Sequence, residues 1–472
     1  MHLLRLLPRP SSLNWIFPSA VLVLAALAVV TPRAVHAEAL LVVEADTGKV
    51  LQADNATMPW YPASVTKIMT AYVTLKAVKD GRLTLDTLLT VSPVAASQSP
   101  SKMGFRPGIQ VTVDNALKMM LVKSANDMAV VLAEGVGGSV DGFSAMMNQT
   151  AQKLGMTQTS YVNPNGLPAD GQITSARDLA ILARAVIRDL PEYEYFMHIP
   201  SIRYGRRVTQ NFNKLIGRYP GADGFKTGFI CASGYNLVAS ATRNGKRLIA
   251  VVLGASSGNA RAVRAAQLLE RGFGGNGLGW LKPALGTVDN LVPIDATPPN
   301  LRDEMCGGKR KRPATDEDAD VVAANGSAST GESAVTFFTA GLQPPMGKPS
   351  DLLAAEAAAS EPIPVYTGPT KTGTALIAAV AAEAEKQTPA KRGKKSKLAA
   401  KKPDGAAAPK AAAGAKPAAV RHANAKPEAA AKPAASADRK PAARPAAADK
   451  PAPKPAKPKA DAKPKGENKP AG

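Results

Sequence analysis

Residues 39–55, ALLVVEADTGKVLQADN, place an apolar run, an Asp-Thr-Gly turn and a second alternating run in succession, which predicts a hairpin. From Ala63 to about Leu190 the apolar spacing changes to the rhythm of helices, in VTKIMTAYVTLKAV, NALKMMLVKSANDMAVVLAEGV and SARDLAILARAVIRDL. The last of these has Ser175 as an N-cap and is closed by Pro191. Strand patterning returns in GYNLVASATRNGKRLIAVVLGAS, two β-rich runs around Asn244-Gly245, a pair suited to a two-residue hairpin turn. A final helix, NARAVRAAQLLERGFG, ends in glycines. Strands at both ends with helices between them predict one α/β unit: an antiparallel sheet assembled from both ends of the domain, flanking helices, and a helical subdomain. At about 240 residues, 38–280, it is long enough to bury a sizeable core.

Outside that unit the pattern dissolves. Residues 281–385 hold many prolines and no sustained period, and read as a Pro-rich linker without clear fold. Residues 386–472 are a Lys/Ala/Pro-rich segment, expected to be a disordered tail. With 23 Lys/Arg against 6 Asp/Glu, this tail supplies +17 of the formal +22, so the net charge describes the tail and not the fold. At the other end, Arg5 and Arg9 precede the apolar run Trp15–Val30, and Val35-His36-Ala37 is a small-residue cleavage site. Residues 1–37 therefore read as a signal peptide, with an uncleaved anchor as the alternative, and the chain as exported, working in the periplasm. In that compartment the two cysteines, Cys231 and Cys306, can form one disulfide; two unrelated thiols are the other reading.

Composition also narrows the chemistry. Of the four histidines, His2 and His36 lie in the leader and His422 in the tail, leaving His198 in the body of the chain. One histidine and one cysteine in the domain are too few for a His-ligated zinc site, so no metal is expected. His198, in YFMHIPSIRYGRR, has no evident triad partners and reads as a core-edge residue. No glycine loop ends in Gly-Lys-Ser/Thr, so nucleotide binding has no support and no cofactor is expected. A hydrolase built on this chain needs a base other than histidine.

Lysine can be that base when burial or a second cation leaves its amine neutral. Ser64 and Lys67, in YPASVTKIMTAY, are three apart at the start of a helical run, so their side chains share a face. A serine at a helix start also has unpaired backbone N–H groups around it, able to stabilise an oxyanion. The spacing alone decides nothing, because Ser99–Lys102 repeats it in an irregular stretch. Two further motifs follow in order. Ser124-Ala125-Asn126 falls at a loop-to-helix junction, and Lys226-Thr227-Gly228 lies just before the closing strands. Their duplicates, Ser257–Asn259 and Lys371–Gly373, fall after the strand motif or in the linker.

The ordered trio resembles the signature set of penicillin-recognising serine enzymes. The likeness is to low-molecular-mass penicillin-binding proteins acting as D-alanyl-D-alanine carboxypeptidases. GLPADGQITSARDLAILARAVIRDLPEYEYF, DGFKTGFICASGYNLVASATRNGKRLIAVVLG and LVVEADTGKVL extend it over about residues 38–275. The resemblance implies a β-lactamase/transpeptidase-like fold and removal of the terminal D-alanine from peptidoglycan pentapeptides. Ser64 would be the acylated nucleophile, Lys67 its base and Ser124 a proton relay to the leaving D-alanine. Asn126 would bind the substrate backbone, Lys226 would supply charge beside Ser124, and Thr227 with Arg261 would hold the terminal carboxylate. The backbone N–H groups of Ser64 and Phe229 would form the oxyanion hole. Partners implied are stem peptides ending in D-Ala-D-Ala, with β-lactams as covalent inhibitors.

The sequence departs from the family in several places. Phe229 stands where relatives often have histidine, and neither the C-terminal β-sandwich nor a terminal amphipathic helix is legible. The Glu-x-x-Leu-Asn of class A β-lactamases is absent between Ser124 and Lys226, so slow β-lactam turnover is expected. A D,D-endopeptidase acting on crosslinks and a non-catalytic penicillin-binding scaffold are the alternatives. The tail could tether the enzyme to an anionic membrane or cell-wall surface, or serve as a solubilising spacer. An export signal argues against nucleic acid as its partner.

Overall fold

The computed structural model describes residues 38–274, 284–307, 348–354, 357–358 and 360–387. The expected signal peptide and nearly all of the expected tail lie outside these residues. In chain order the strands are β1 (Ala39–Glu44), β2 (Val50–Asp54), β3 (Leu88–Thr90), β4 (Gln110–Thr112), β5 (Ser201–Tyr204), β6 (Arg207–Gln210), β7 (Ala222–Ile230), β8 (Gly234–Arg243), β9 (Lys246–Ala255) and β10 (Ile363–Pro364). The main sheet has the order β2-β1-β9-β8-β7 and every neighbouring pair is antiparallel. β1 lies beside β9, with Val43 opposite Ile249, so the two ends of the domain close one sheet. β8 and β9 are joined at Asn244 (φ 50°) and Gly245 (φ 73°), the pair of positive φ values that a tight hairpin demands.

The alternation along β9 separates two cores. Ile249, Val251 and Leu253 face the helical side together with Leu41 and Val43. Leu248, Ala250 and Val252 face the other side, where Ala265, Ala266, Leu268 and Leu269 of helix Gly258–Phe273 cover them. Successive side chains point to opposite faces of a strand, so an unbroken run such as LIAVVL belongs in a sheet covered on both sides.

Between β2 and β5 the chain forms the helical subdomain. Its centre is helix Asn126–Gly137, in which Met128 to Ala133 are all buried. A helix that is apolar all round is surrounded by others, and helices Lys67–Lys79, Val113–Val122 and Val140–Lys153 pack against this one. Ser175 caps helix Ala176–Asp189 by accepting from the Asp178 N–H at 3.1 Å. Short strands β3 and β4 interrupt the helical stretch, too brief to register as a change of period.

The expectation of a linker without clear fold over 281–385 fails for the described part of that segment. Lys49 and Thr287 form a β-bridge, Val288 and Met305 are buried, and Cys306 is bonded to Cys231 with a Cα–Cα distance of 5.6 Å. Further on, β10 pairs in parallel with β5, the Tyr366 N–H donates to Asn115 Oδ1 at 3.1 Å, and Gly373–Lys386 is a helix. These pieces are held by single anchors docking on a finished surface, and anchoring of that kind leaves no period. Among the described residues no helix is long and apolar enough to cross a membrane.

The bridge spans 75 residues of sequence. Closing a loop of that length stabilises the folded chain by about 4 kcal/mol through the unfolded state. Urea unfolding of Cys306→Ser should show roughly 2–4 kcal/mol less stability than the wild type, allowing for residual structure in the reduced chain. Equal stabilities would mean that the segment 284–307 is not held by the bridge.

Candidate active site

Ser64 sits in a clamped turn. Trp60 exchanges backbone hydrogen bonds with Thr174, and its indole Nε1 donates to Ser233 O at 3.0 Å. The Asn236 amide donates to Tyr61 O at 3.0 Å and Pro62 O at 3.1 Å, while its Oδ1 accepts from the Gly254 N–H. Asn236 is wholly buried, so one side chain fastens the approach to Ser64 onto β8 and β9. The turn itself is a 3-10 segment, Ala63–Thr66, and the α-helix begins only at Lys67. Ser64 thus stands one turn ahead of the α-helix and not at its first residue. In 3-10 geometry residues i and i+3 eclipse, which stacks the Ser64 and Lys67 side chains directly.

Lys67 Nζ lies 2.9 Å from Ser64 Oγ, 2.7 Å from Asn126 Oδ1 and 2.7 Å from the Asn165 carbonyl, and the lysine is fully buried. Asn126 is the first residue of the central helix. Its N–H donates to Ser101 O at 2.8 Å and its side-chain amide to Ser99 O at 2.9 Å, which leaves the amide oxygen facing the lysine. The duplicate Ser99–Lys102 motif is therefore a carbonyl support for Asn126. Neighbouring Asp127 accepts from the N–H groups of Met103, Gly104 and Met128, and burial pushes its carboxyl above the usual range against those donors. Sequence reasoning passed over Asn165. Its signal was the Asn-Gly turn in NPNGLP, where Gly166 takes φ +81° and a Cβ would come within 1.8 Å of Ala63 O.

β7, the edge strand of the sheet, closes the other side. A Cβ at Gly228 would lie 2.8 Å from the Ser64 nitrogen, so glycine is what lets the strand run against the turn. Lys226 and Thr227 precede it, both buried, with Lys226 Nζ donating to Thr227 O at 3.1 Å. The Phe229 ring stacks on Tyr235 at 4.2 Å, and Arg261 lies over the Tyr235 ring at 5.5 Å. The Arg261 guanidinium also donates to the carbonyls of Gly228, Asn236 and Phe212 at 3.3, 3.4 and 3.5 Å. At 3% exposure it is buried against the strand.

Ser124 lies at the junction between helices Val113–Val122 and Asn126–Gly137, 5% exposed, with φ 62°. Among the described residues the non-glycine positions with positive φ are Asn55, Ala63, Ser124 and Asn244. Asparagine tolerates that region. The two that do not, Ala63 and Ser124, flank or are the expected catalytic groups, and strain of this kind concentrates where position matters most. His198 ends the 3-10 segment Pro191–Met197 and contributes nothing to the hydrogen bonds around Ser64. A cleft of about 260 Å³ opens beside the turn, lined by Tyr61, Ala63, Leu167 and Ile230 among others. A larger one of about 520 Å³, by Ser257 and Arg264, touches none of these groups.

Gly166→Ala should fold yet displace the Ser64 turn. The rate of covalent labelling of Ser64 by a serine-acylating probe is expected to fall about 100-fold or more. Labelling at the wild-type rate would mean the loop does not position the serine.

Residues 26–257 match a family profile described as D-alanyl-D-alanine carboxypeptidase. Among curated proteins, the chain is 40% identical over 247 residues to D-alanyl-D-alanine carboxypeptidase DacC of Escherichia coli, covering 51% of this chain and 62% of that one. It is 33% identical over 224 residues to DacB2 of Mycobacterium tuberculosis, covering 46% of this chain and 74% of that one. Among solved structures, penicillin-binding protein D2 of Listeria monocytogenes in its ampicillin-bound form is similar at 32% identity and a TM-score of 0.44, covering 50% of this chain and 96% of that one. The chain thus spans under two thirds of the length of the first of these relatives. With a 33% identical relative covered over 74% of its length, Ser64 and Asn126 both hydrogen-bonded to Lys67, and Gly228 packed against the Ser64 turn, this chain belongs to the D-alanyl-D-alanine carboxypeptidase family.

Proposed function

We propose that this chain is a serine-type D-Ala-D-Ala carboxypeptidase that removes the terminal D-alanine of peptidoglycan stem peptides through an acyl-enzyme on Ser64. The observation that carries the reading is the surroundings of Lys67 Nζ. Two of its neighbours, Asn126 Oδ1 and Asn165 O, can only accept hydrogen bonds. With its N–H groups turned to those two carbonyls, a neutral amine can take the proton of the Ser64 hydroxyl, 2.9 Å away. The two carbonyls thus orient the base toward the nucleophile.

In this mechanism Ser64 Oγ attacks the carbonyl carbon of the penultimate D-alanine as its proton passes to Lys67. The oxyanion accepts from the backbone N–H groups of Ser64 and Phe229, a reading supported by the close packing of neighbouring Gly228 against the Ser64 nitrogen. Ser124 relays the proton to the departing D-alanine nitrogen as the C–N bond breaks. Water then cleaves the ester, releasing the shortened peptide and restoring the Ser64 hydroxyl. The C-terminal carboxylate of the substrate lies toward Lys226 and Thr227. Arg261, already tied to three carbonyls, adds its positive charge from beneath the strand. Asn126 fixes both Lys67 and the substrate backbone. β-Lactams acylate the same serine and are released slowly.

Incubation of the full chain with a pentapeptide ending in D-Ala-D-Ala should release free D-alanine. Ser64→Ala should abolish release, and Lys67→Arg, which stays protonated and cannot serve as a base, should lower kcat about 1,000-fold. No release by the wild type would sink the reading.

The chain acts outside the cytoplasm, which the leader sequence and the Cys231–Cys306 bridge both support. The basic segment beyond Gln387 holds it to anionic lipid or cell-wall surfaces, each Lys or Arg near such a surface contributing about 1 kcal/mol. Removing residues 388–472 should release the enzyme from the envelope fraction at low salt. Unchanged, salt-insensitive fractionation would mean that the segment is only a spacer.

A further inference from the structure

We propose that Gln98 is a positioning residue for the general base. Through the side-chain amide of Asn165 it fixes one carbonyl that holds Lys67, and the next residue, Ser99, fixes another through Asn126. This role rests on the acyl-enzyme reading of Ser64 and Lys67 and deepens it, by naming what keeps the base in register with the nucleophile.

Two arms reach the amine. On the first, Lys67 Nζ lies 2.7 Å from Asn126 Oδ1, and the Asn126 side-chain amide donates to Ser99 O at 2.9 Å. The main-chain N–H of Asn126 donates to Ser101 O at 2.8 Å. On the second, Nζ lies 2.7 Å from the Asn165 carbonyl, and the Asn165 side-chain amide donates to Gln98 Oε1 at 2.8 Å. Asn126 opens the central helix, while Asn165 belongs to a loop beyond helix Val140–Lys153. Both arms nevertheless end on residues 98–101.

The direction of each amide is set by a main-chain group with a single hydrogen-bonding role. Val94 O can only accept, and it takes the Gln98 Nε2 hydrogen bond at 3.1 Å, which turns Gln98 Oε1 to Asn165. The Leu167 N–H can only donate, and it reaches Asn165 Oδ1 at 3.1 Å, which turns Asn165 Nδ2 to Gln98. With both ends of its side-chain amide held, Asn165 has little freedom to rotate its carbonyl away from Lys67. Asn165 is buried and Gln98 half-buried. A buried amide donor without an acceptor is costly. Loss of Gln98 Oε1 therefore makes the Asn165 side chain turn toward another partner, and its carbonyl turns with it.

The support is itself fixed. Ser101 Oγ donates to Lys123 O at 3.0 Å and Lys102 Nζ to Ala96 O at 3.0 Å. Asp127 accepts from the Met103 and Gly104 N–H groups at 3.1 and 2.9 Å. Residues 98–104 thus form a brace tied to the helical subdomain at several points. Gln98 lies at the end of that brace nearest in sequence to helix Pro93–Ser97, and its hydrogen bond to Asn165 is the route by which it acts on the base.

The test measures acylation of the full chain by a fluorescent penicillin over a range of concentrations, separating the limiting acylation rate from the half-saturating concentration. Gln98→Met keeps the side-chain volume and removes the acceptor. Its limiting rate should fall about tenfold while the half-saturating concentration stays within about twofold of the wild type. Asn165→Ala removes the other side of the contact and should lose at least as much. Adding Gln98→Met to Asn165→Ala should cost nothing further, because the two act through one hydrogen bond. A wild-type limiting rate in Gln98→Met, a loss confined to the half-saturating concentration, or losses that add in the double variant overturn the role of Gln98. Acylation of the wild type in the same experiment leaves the Ser64 reading standing. A wild type that forms no adduct removes both.

Discussion

The structure depends on how one buried amine is surrounded. Lys67 Nζ touches a hydroxyl, a side-chain carbonyl and a main-chain carbonyl, and each comes from a different part of the fold. Ser64 arrives on a 3-10 turn, Asn126 on the first residue of the central helix, and Asn165 on a loop that crosses over the turn. A buried polar group without partners costs roughly 1–3 kcal/mol, and more when charged. The three contacts must therefore form together, and the helical subdomain must sit correctly on the sheet for them to do so. In this way folding and the placing of the Ser64 hydroxyl become one event.

Around that amine the chain accepts several local costs. Ala63 and Ser124 take left-handed backbone conformations without the side-chain chemistry that makes these easy. Gly166 and Gly228 give up a side chain so that a loop and a strand can approach the Ser64 turn within the reach of a Cβ. Asn236 gives both of its amide N–H groups to residues 61 and 62 while its oxygen accepts from Gly254 on β9. Local propensity explains none of these choices, and all of them converge on the position of one hydroxyl.

Much of this was legible in the sequence, because the features involved are local or ordered. The Asn244-Gly245 hairpin, the Ser175 cap and the succession of Ser64, Lys67, Ser124, Asn126 and Lys226 each carry a signal within a few residues. What stayed hidden depends on tertiary contact. Asn165 contributes through its backbone carbonyl, and a carbonyl is the same in every residue. The setting of Arg261 was equally hidden: its guanidinium donates to the carbonyls of Gly228, Asn236 and Phe212, which lie 25 to 49 residues away in sequence. The segment 284–307 looked like a linker because its order comes from a disulfide, a single β-bridge and a few buried side chains, none of which imposes a period. The Ser99–Lys102 repeat, identical in spacing to Ser64–Lys67, turned out to lend its carbonyl oxygens to Asn126.

That last contrast supplies the most direct measurement. Two Ser-x-x-Lys motifs lie within 40 residues of each other, and only one has its lysine aimed at its serine while held by two carbonyls. Mass spectrometry of the full chain after brief exposure to a penicillin, followed by peptide mapping, locates the acyl group to a single residue. One adduct is expected, on Ser64, lost in Ser64→Ala and strongly slowed in Lys67→Arg. An adduct on Ser99, Ser101 or Ser124, or an unmodified Ser64 in a protein that still hydrolyses the D-Ala-D-Ala bond, would contradict it.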